Sequence, residues 1–165
     1  MGITFNRSQT KSYGFIRELH ARNPLLFVIA VAHVILLLIM TGVAPFDGRE
    51  VMGINPWIKP IKFAASIAIY ALTMGWLLYE LPLEEKVNRR VSWAIAGTLV
   101  IEIALITMQA ARGVTSHFND TTTFDAAIFS VMGAAITFNI LVVAYVALKF
   151  WNTEDRKSTR LNSSH

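Results

Sequence analysis

The chain contains no cysteine, few charges and only five prolines, none of them beyond the first residue of a long apolar run. Without cysteine there is no disulfide framework and no thiolate metal site. Charged residues make up 16% of the 165 positions, where soluble domains run nearer a quarter. That shortage excludes a disordered tail and an ordinary soluble enzyme. What the chain has instead is apolar length: 54% of its residues are hydrophobic and its mean hydropathy is +0.48. This is too short for two globular domains but long enough for four membrane crossings of roughly 20 residues each.

Four runs supply those crossings, at about 24–43, 61–79, 91–111 and 124–150. Lipid offers backbone groups no water, so each run is predicted to be helical. The first is too long, and begins too far from the start, to be a cleavable signal peptide. Ahead of it, Phe15, Ile16 and Leu19 alternate with Arg17, Glu18 and Arg22, which predicts a short amphipathic helix on the membrane surface. The fold class is therefore all-α: a polytopic four-helix membrane bundle over 24–151, with an interfacial helix in the arm 1–23. Residues 152–165 form a polar tail. Its last part, DRKSTRLNSSH, resembles translated sequencing-adapter read-through, the other reading being a disordered cytoplasmic tail.

Local signals mark the boundaries. Asn23 precedes Pro24 as a cap before a first-turn proline. Thr122 and Asp125 have the spacing of a capping box. Gly113 stands where a left-handed helix stop is expected. Ala71 with Gly75, and Ser130 with Ala134, are small-residue pairs suited to close helix packing. Lys and Arg set the orientation. Arg7, Lys11, Arg17, Arg22, Lys86, Arg89, Arg90 and Lys149 fall on one side, and Arg49, Lys59, Lys62 and Arg112 on the other. Eight against four predicts both termini in the cytoplasm. Trp76, Tyr79, Trp93 and Trp151 at the inner edge and Trp57 at the outer edge agree. The net charge of +4 follows from this asymmetry and calls for no nucleic acid partner.

Polar side chains inside apolar runs are the candidates for function. His33 and Glu102 each lie about ten residues, or ~15 Å, from the outer ends of their helices, so they are expected to pair near the midplane. Lys62, Ser66 and Thr73 share one face of the second helix, and Thr98, Glu102 and Gln109 share an arc of the third. The two stripes are expected to meet as a polar cleft opening outward. Arg112, Thr115, Ser116, His117 and Asn119 crowd the third loop, where they have the chemistry to grip a carboxylate, a phosphate or a lipid headgroup. The cleft's ligand set is thus Lys62, Ser66, Thr73, Glu102, Gln109, Arg112, His117 and Asn119. For each there is a structural alternative: polar clasps between helices, turns, and compensation of a helix dipole.

The strings GINPWIKPIKF and QAARGVTSHFN resemble those of a family of small, uncharacterised bacterial inner-membrane proteins. The similarity runs from about Phe15 to Trp151 and implies a four-helix fold in the inner membrane, with no catalytic role to transfer. Haem is disfavoured because His33 and His117 are expected more than ~15 Å apart in depth. No ligand spacing for a metal is present, and no cofactor is predicted. A Ser116–His117 hydrolase is disfavoured because sequence neighbours rarely present a nucleophile to its base. The leading reading is a binding or accessory module for a lipid, a quinone or another membrane protein. The alternatives are a membrane-embedded enzyme and a small proton-coupled carrier. The carrier would work as a homodimer around Glu102, although small multidrug carriers place that residue in their first helix.

Overall fold

The computed structural model describes the backbone of residues 10–81 and 83–162, and the side chains of 14–81 and 83–151. Helices α1 (Thr10–Arg22), α2 (Pro24–Val43), α3 (Ile58–Glu80), α4 (Glu85–Arg112) and α5 (Thr123–Asn162) follow one another, and a 3₁₀ turn, Ala44–Phe46, extends α2. Four segments are long and apolar enough to cross a membrane: Pro24–Phe46, Ile58–Glu80, Glu85–Arg112 and Thr123–Trp151. The α2–α3 and α4–α5 connections share one end of the bundle, here the loop end. Helix α1 marks the other.

The boundaries follow local chemistry. Asn23 Oδ1 accepts the Leu26 amide at 3.1 Å, Pro24 fills the first turn, and Gly113 closes α4 at φ 70°. Thr122 Oγ1 accepts the Asp125 amide at 3.1 Å. Three helices overrun their apolar runs. Helix α3 begins at Ile58, since a proline at its third position gives up only an amide that has no intrahelical partner. Helix α4 begins with the charged turn after Glu84, which hydropathy does not register. Helix α5 continues to Asn162, so the tail expected to be disordered is helical that far. Nothing between Leu148 and Asn162 is proline or glycine, and a helix propagates more readily than it nucleates.

Helices α2 and α3 pack most extensively, α4 bridges α3 and α5, and α1 lies against α2 and α3. Helix α4 is central. Val91, Ile95, Leu99, Glu102, Ile106 and Gln109 are among its buried residues and recur at helical spacing. Gly75 allows α2 close: a Cβ there would stand 3.3 Å from Asn23 Cβ and 3.5 Å from Leu26 Cβ. Ala71 is buried beside it on α3. The second expected pair behaves otherwise. Ser130 and Ala134 are both exposed, because α5 turns Ile128 and Met132 inward instead.

The α1 end is tied by Arg22, which ion-pairs with Glu18 and Glu80 and stacks 3.5 Å above the Trp76 ring. Phe15 approaches the same indole at 6.1 Å, so the amphipathic arm docks on α3. Asn23 Nδ2 donates to Ser92 Oγ at 2.8 Å, linking α2 to α4. Filling the Gly75 contact should separate α2 from α3. Gly75→Leu is expected to destabilise the bundle by about 1–3 kcal/mol, read as a lower thermal midpoint in detergent than for Gly97→Leu, where a Cβ meets nothing.

Candidate functional site

The loop end is built from two charged knots. In the α2–α3 loop, Asp47 accepts Arg49 Nε at 2.8 Å and Nη2 at 2.6 Å, and Trp57 Nε1 at 2.7 Å. The paired guanidinium and then the indole hold the Asp47 carboxyl well below the usual carboxylate range. Asn55 Nδ2 donates to the Ala44 and Asp47 carbonyls, closing the loop on itself. Arg49 Nη1 reaches across to the Ala111 carbonyl at 3.0 Å and passes directly over Gly113. Residues 51–54 form a tight turn with Met52 and Gly53 at positive φ.

The second knot is Asp125, 2% exposed at the first turn of α5. It accepts Arg112 Nη1 at 2.5 Å, Gln109 Nε2 at 2.9 Å and Thr122 Oγ1 at 2.6 Å. Arg112 also donates to Gln109 Oε1. Both ends of the 113–122 loop are thereby fixed, and the loop folds back between the helices. His117 lands between Phe63 of α3 and Phe129 of α5, with ring centroids 6.0 and 6.3 Å away.

There His117 forms the centre of a polar chain. Lys59 Nζ lies 3.0 Å from its Nδ1, and Nε2 lies 3.9 Å from Glu102 Oε1. An ammonium only donates, so Nδ1 accepts and the ring hydrogen sits on Nε2, facing the carboxylate. Burial, then the Lys59 charge, lowers the His117 pKa. Above this chain a pocket of about 340 Å³ opens at the loop end. Ile54, Pro60, Phe63, Ile106 and Phe118 form much of its apolar wall, with Lys59, Ser116 and His117 as its polar foot.

The candidate residues separate into distinct roles. Glu102 and His117 come together, and Lys59, which sequence reasoning counted only as a charge, joins them. Lys62, Ser66 and Thr73 share a helix face as expected, but that face is exposed and points away from the bundle. Ser66 and Thr73 each donate to the carbonyl four residues back. Lys59 and Lys62 are about 60° apart around a helix, and hydropathy alone does not choose between them. Gln109 and Arg112 are occupied by Asp125. Asn119 is buried in its own loop, donating to the Thr115 carbonyl and accepting from Thr121. Lys62 and Arg112 therefore share no cleft.

His117 folds back from the α4–α5 loop so that its Nε2 comes within 3.9 Å of Glu102, instead of standing clear beyond the end of α4. Ser116 Oγ does meet His117 Nδ1, at 3.1 Å, yet Lys59 competes for the same lone pair, leaving a poor base. His33 makes no direct hydrogen bond to Glu102. Its Nδ1 turns to the Ile29 carbonyl at 2.7 Å, while Glu102 extends one oxygen toward His117.

Fold and site together define a helical bundle with four potential membrane-crossing helices and an apolar end pocket over a Lys–His–Glu chain. No family model matches this chain, and no curated protein or solved structure is similar to it.

Two outcomes test the site. A histidine whose pKa is lowered by folding binds fewer protons in the folded state than in the unfolded one below about pH 6.5. Its contribution is present above that pH and is lost as the pH falls. The thermal midpoint should therefore drop between about pH 7 and pH 5, and His117→Gln should flatten that drop. Removing Asp125 should leave Arg112 uncompensated. Asp125→Ala and Arg112→Ala are expected to lower stability by clearly less in combination than the sum of their separate effects, read by thermal unfolding in detergent.

Proposed function

We propose that this chain is a multi-pass protein of the bacterial inner membrane with both termini cytoplasmic, and that its loop-end pocket binds a neutral membrane amphiphile. The eight-to-four distribution of Lys and Arg supports the orientation, which turns the pocket outward. The lipid bilayer is then the partner of the exposed apolar faces of α2 and α5. Lys62 reaches the headgroup level by extending its stem along α3.

The observation that carries the ligand class is the pocket's composition: apolar walls over a polar foot in which charges nearly cancel. Arg49 is engaged by Asp47 and Arg112 by Asp125. Lys59 faces His117 and interacts electrostatically with Glu102. A phosphate or carboxylate headgroup would meet little net positive charge there. A compact apolar molecule bearing a carbonyl acceptor fits better, with Lys59 or Ser116 as donor, and the head ring of a quinone has that form and a tail suited to lipid. Pockets of this size lined by apolar side chains with a few placed polar groups are typical small-molecule sites.

A second reading, a proton-coupled carrier centred on Glu102, is favoured by one observation: Glu102 stands between the pocket foot and the bundle core. Decylubiquinone titrated into the protein in lipid nanodiscs, followed by tryptophan quenching, tests the leading reading. Lys59→Met should weaken binding by roughly tenfold, and Lys62→Gln should leave it unchanged. Equal affinity in wild type and Lys59→Met would remove the pocket from consideration.

A further inference from the structure

Among the described residues, two buried side-chain atoms have no hydrogen-bond partner: His33 Nε2 and Glu102 Oε2. Their residues are 3% and 7% exposed. They sit on α2 and α4, which run in the same direction and are tied at two levels. Asn23 meets Ser92 near one end, 69 residues apart in the chain. Met40 meets Thr107 nearer the other, 67 apart. The same offsets place His33 level with the helical turn that carries Glu102.

The chemistry of the two orphan atoms is matched in a telling way. His33 Nδ1 faces a carbonyl, which can only accept, so Nδ1 holds the ring hydrogen and Nε2 offers a lone pair. An ionised carboxylate oxygen also only accepts. Two acceptors at one depth in an apolar core are each left unsatisfied, a costly arrangement unless a hydrogen is supplied between them. A metal ion does not answer this need, because no group of three or more His, Asp or Glu side chains among the described residues is placed to hold one.

We propose that Glu102 and His33 share a proton inside the bundle through one bridging water, and that the pocket foot supplies it. The path follows the chain already described. Lys59 N–H breaks as His117 Nδ1–H forms across 3.0 Å. His117 Nε2 and Glu102 Oε1 stand 3.9 Å apart, so Nε2–H breaks as Oε1–H forms once the two side chains close to hydrogen-bond distance. The carboxylate becomes a neutral acid and Lys59 is left as a neutral amine. Rotation of the carboxyl brings the hydrogen round to the His33 side. A buried charge pair is thereby exchanged for neutral groups, which lowers the desolvation penalty in the core.

The ionisable groups facing Glu102 are Lys59 from α3, His117 from the α4–α5 loop and His33 from α2. The acid that α5 brings to this end, Asp125, is engaged by Arg112. His33 acts here as a positioning residue for the proton on Glu102. The inference goes beyond the ligand reading and stands without it, because it concerns the protein with an empty pocket.

Infrared difference spectra of the full chain in nanodiscs, recorded between about pH 5 and pH 9, test it. The wild type should show a protonated-carboxyl band that is lost in Glu102→Gln and shifted in frequency in His33→Phe. A band indifferent to Glu102→Gln, or unmoved by His33→Phe, overturns the proposal. Nitrogen NMR of the unsubstituted protein gives a reading that requires no variant to fold well, beyond assignment of the signal. With ¹⁵N-labelled histidine, the His33 Nε2 resonance should be that of a hydrogen-bonded nitrogen. The resonance of a bare lone pair across the whole pH range overturns the proposal.

Discussion

Asp125, buried at the first turn of α5, takes hydrogen bonds from Gln109 and Arg112 on the last turn of α4 and from Thr122 at its own cap. A carboxylate placed so deeply is tolerable only with that many donors. The same bonds fix both ends of a ten-residue loop. With its ends pinned, the loop folds inward and His117 is carried down to Glu102. Arg49 adds a second brace by reaching from the neighbouring loop to the Ala111 carbonyl. The pocket, the Lys–His–Glu chain and its access to the core all follow from this arrangement.

Charge is managed differently along the bundle. At the α1 end, Arg22 gathers Glu18, Glu80 and the Trp76 face into one cluster. At the loop end, Asp47 and Asp125 each absorb an arginine. The two ends are thus locked by ionic contacts, and the pocket between the loops keeps little unbalanced charge. That balance points recognition toward hydrogen bonding and apolar contact. The exception lies mid-bundle, where Glu102 and His33 are buried with an unsatisfied atom each. Ionisable side chains buried with an unsatisfied atom are expensive.

Much of the fold was legible because its signals are local. Apolar length marked four helices, Asn23 and Thr122 marked two starts, and Gly113 marked a stop. Gly75 was readable as a close contact because small residues four apart face one neighbour. The exposed stripe of Lys62, Ser66 and Thr73 shows the limit of that reasoning. Periodicity reveals that residues share a face, but in a chain with apolar surfaces all round it does not reveal where the face points. Ser66 and Thr73 satisfy themselves on their own helix carbonyls, so they need no polar surroundings. Ser130 and Ala134 mislead for the same reason.

The sequence by itself determined the number of helices, their approximate ends and the residues able to carry chemistry, because hydropathy, caps and charge act over a few residues. It also marked Glu102 and His33 as neighbours in depth, since helical rise converts position into height. Only the tertiary structure decided that Lys59 and not Lys62 reaches the site, that Arg112 and Gln109 serve Asp125, and that His117 folds back within reach of Glu102. Those outcomes depend on helix rotation and on contacts between distant segments. A 60° turn of α3, or a loop pointing out instead of in, would leave every local signal unchanged and abolish the site.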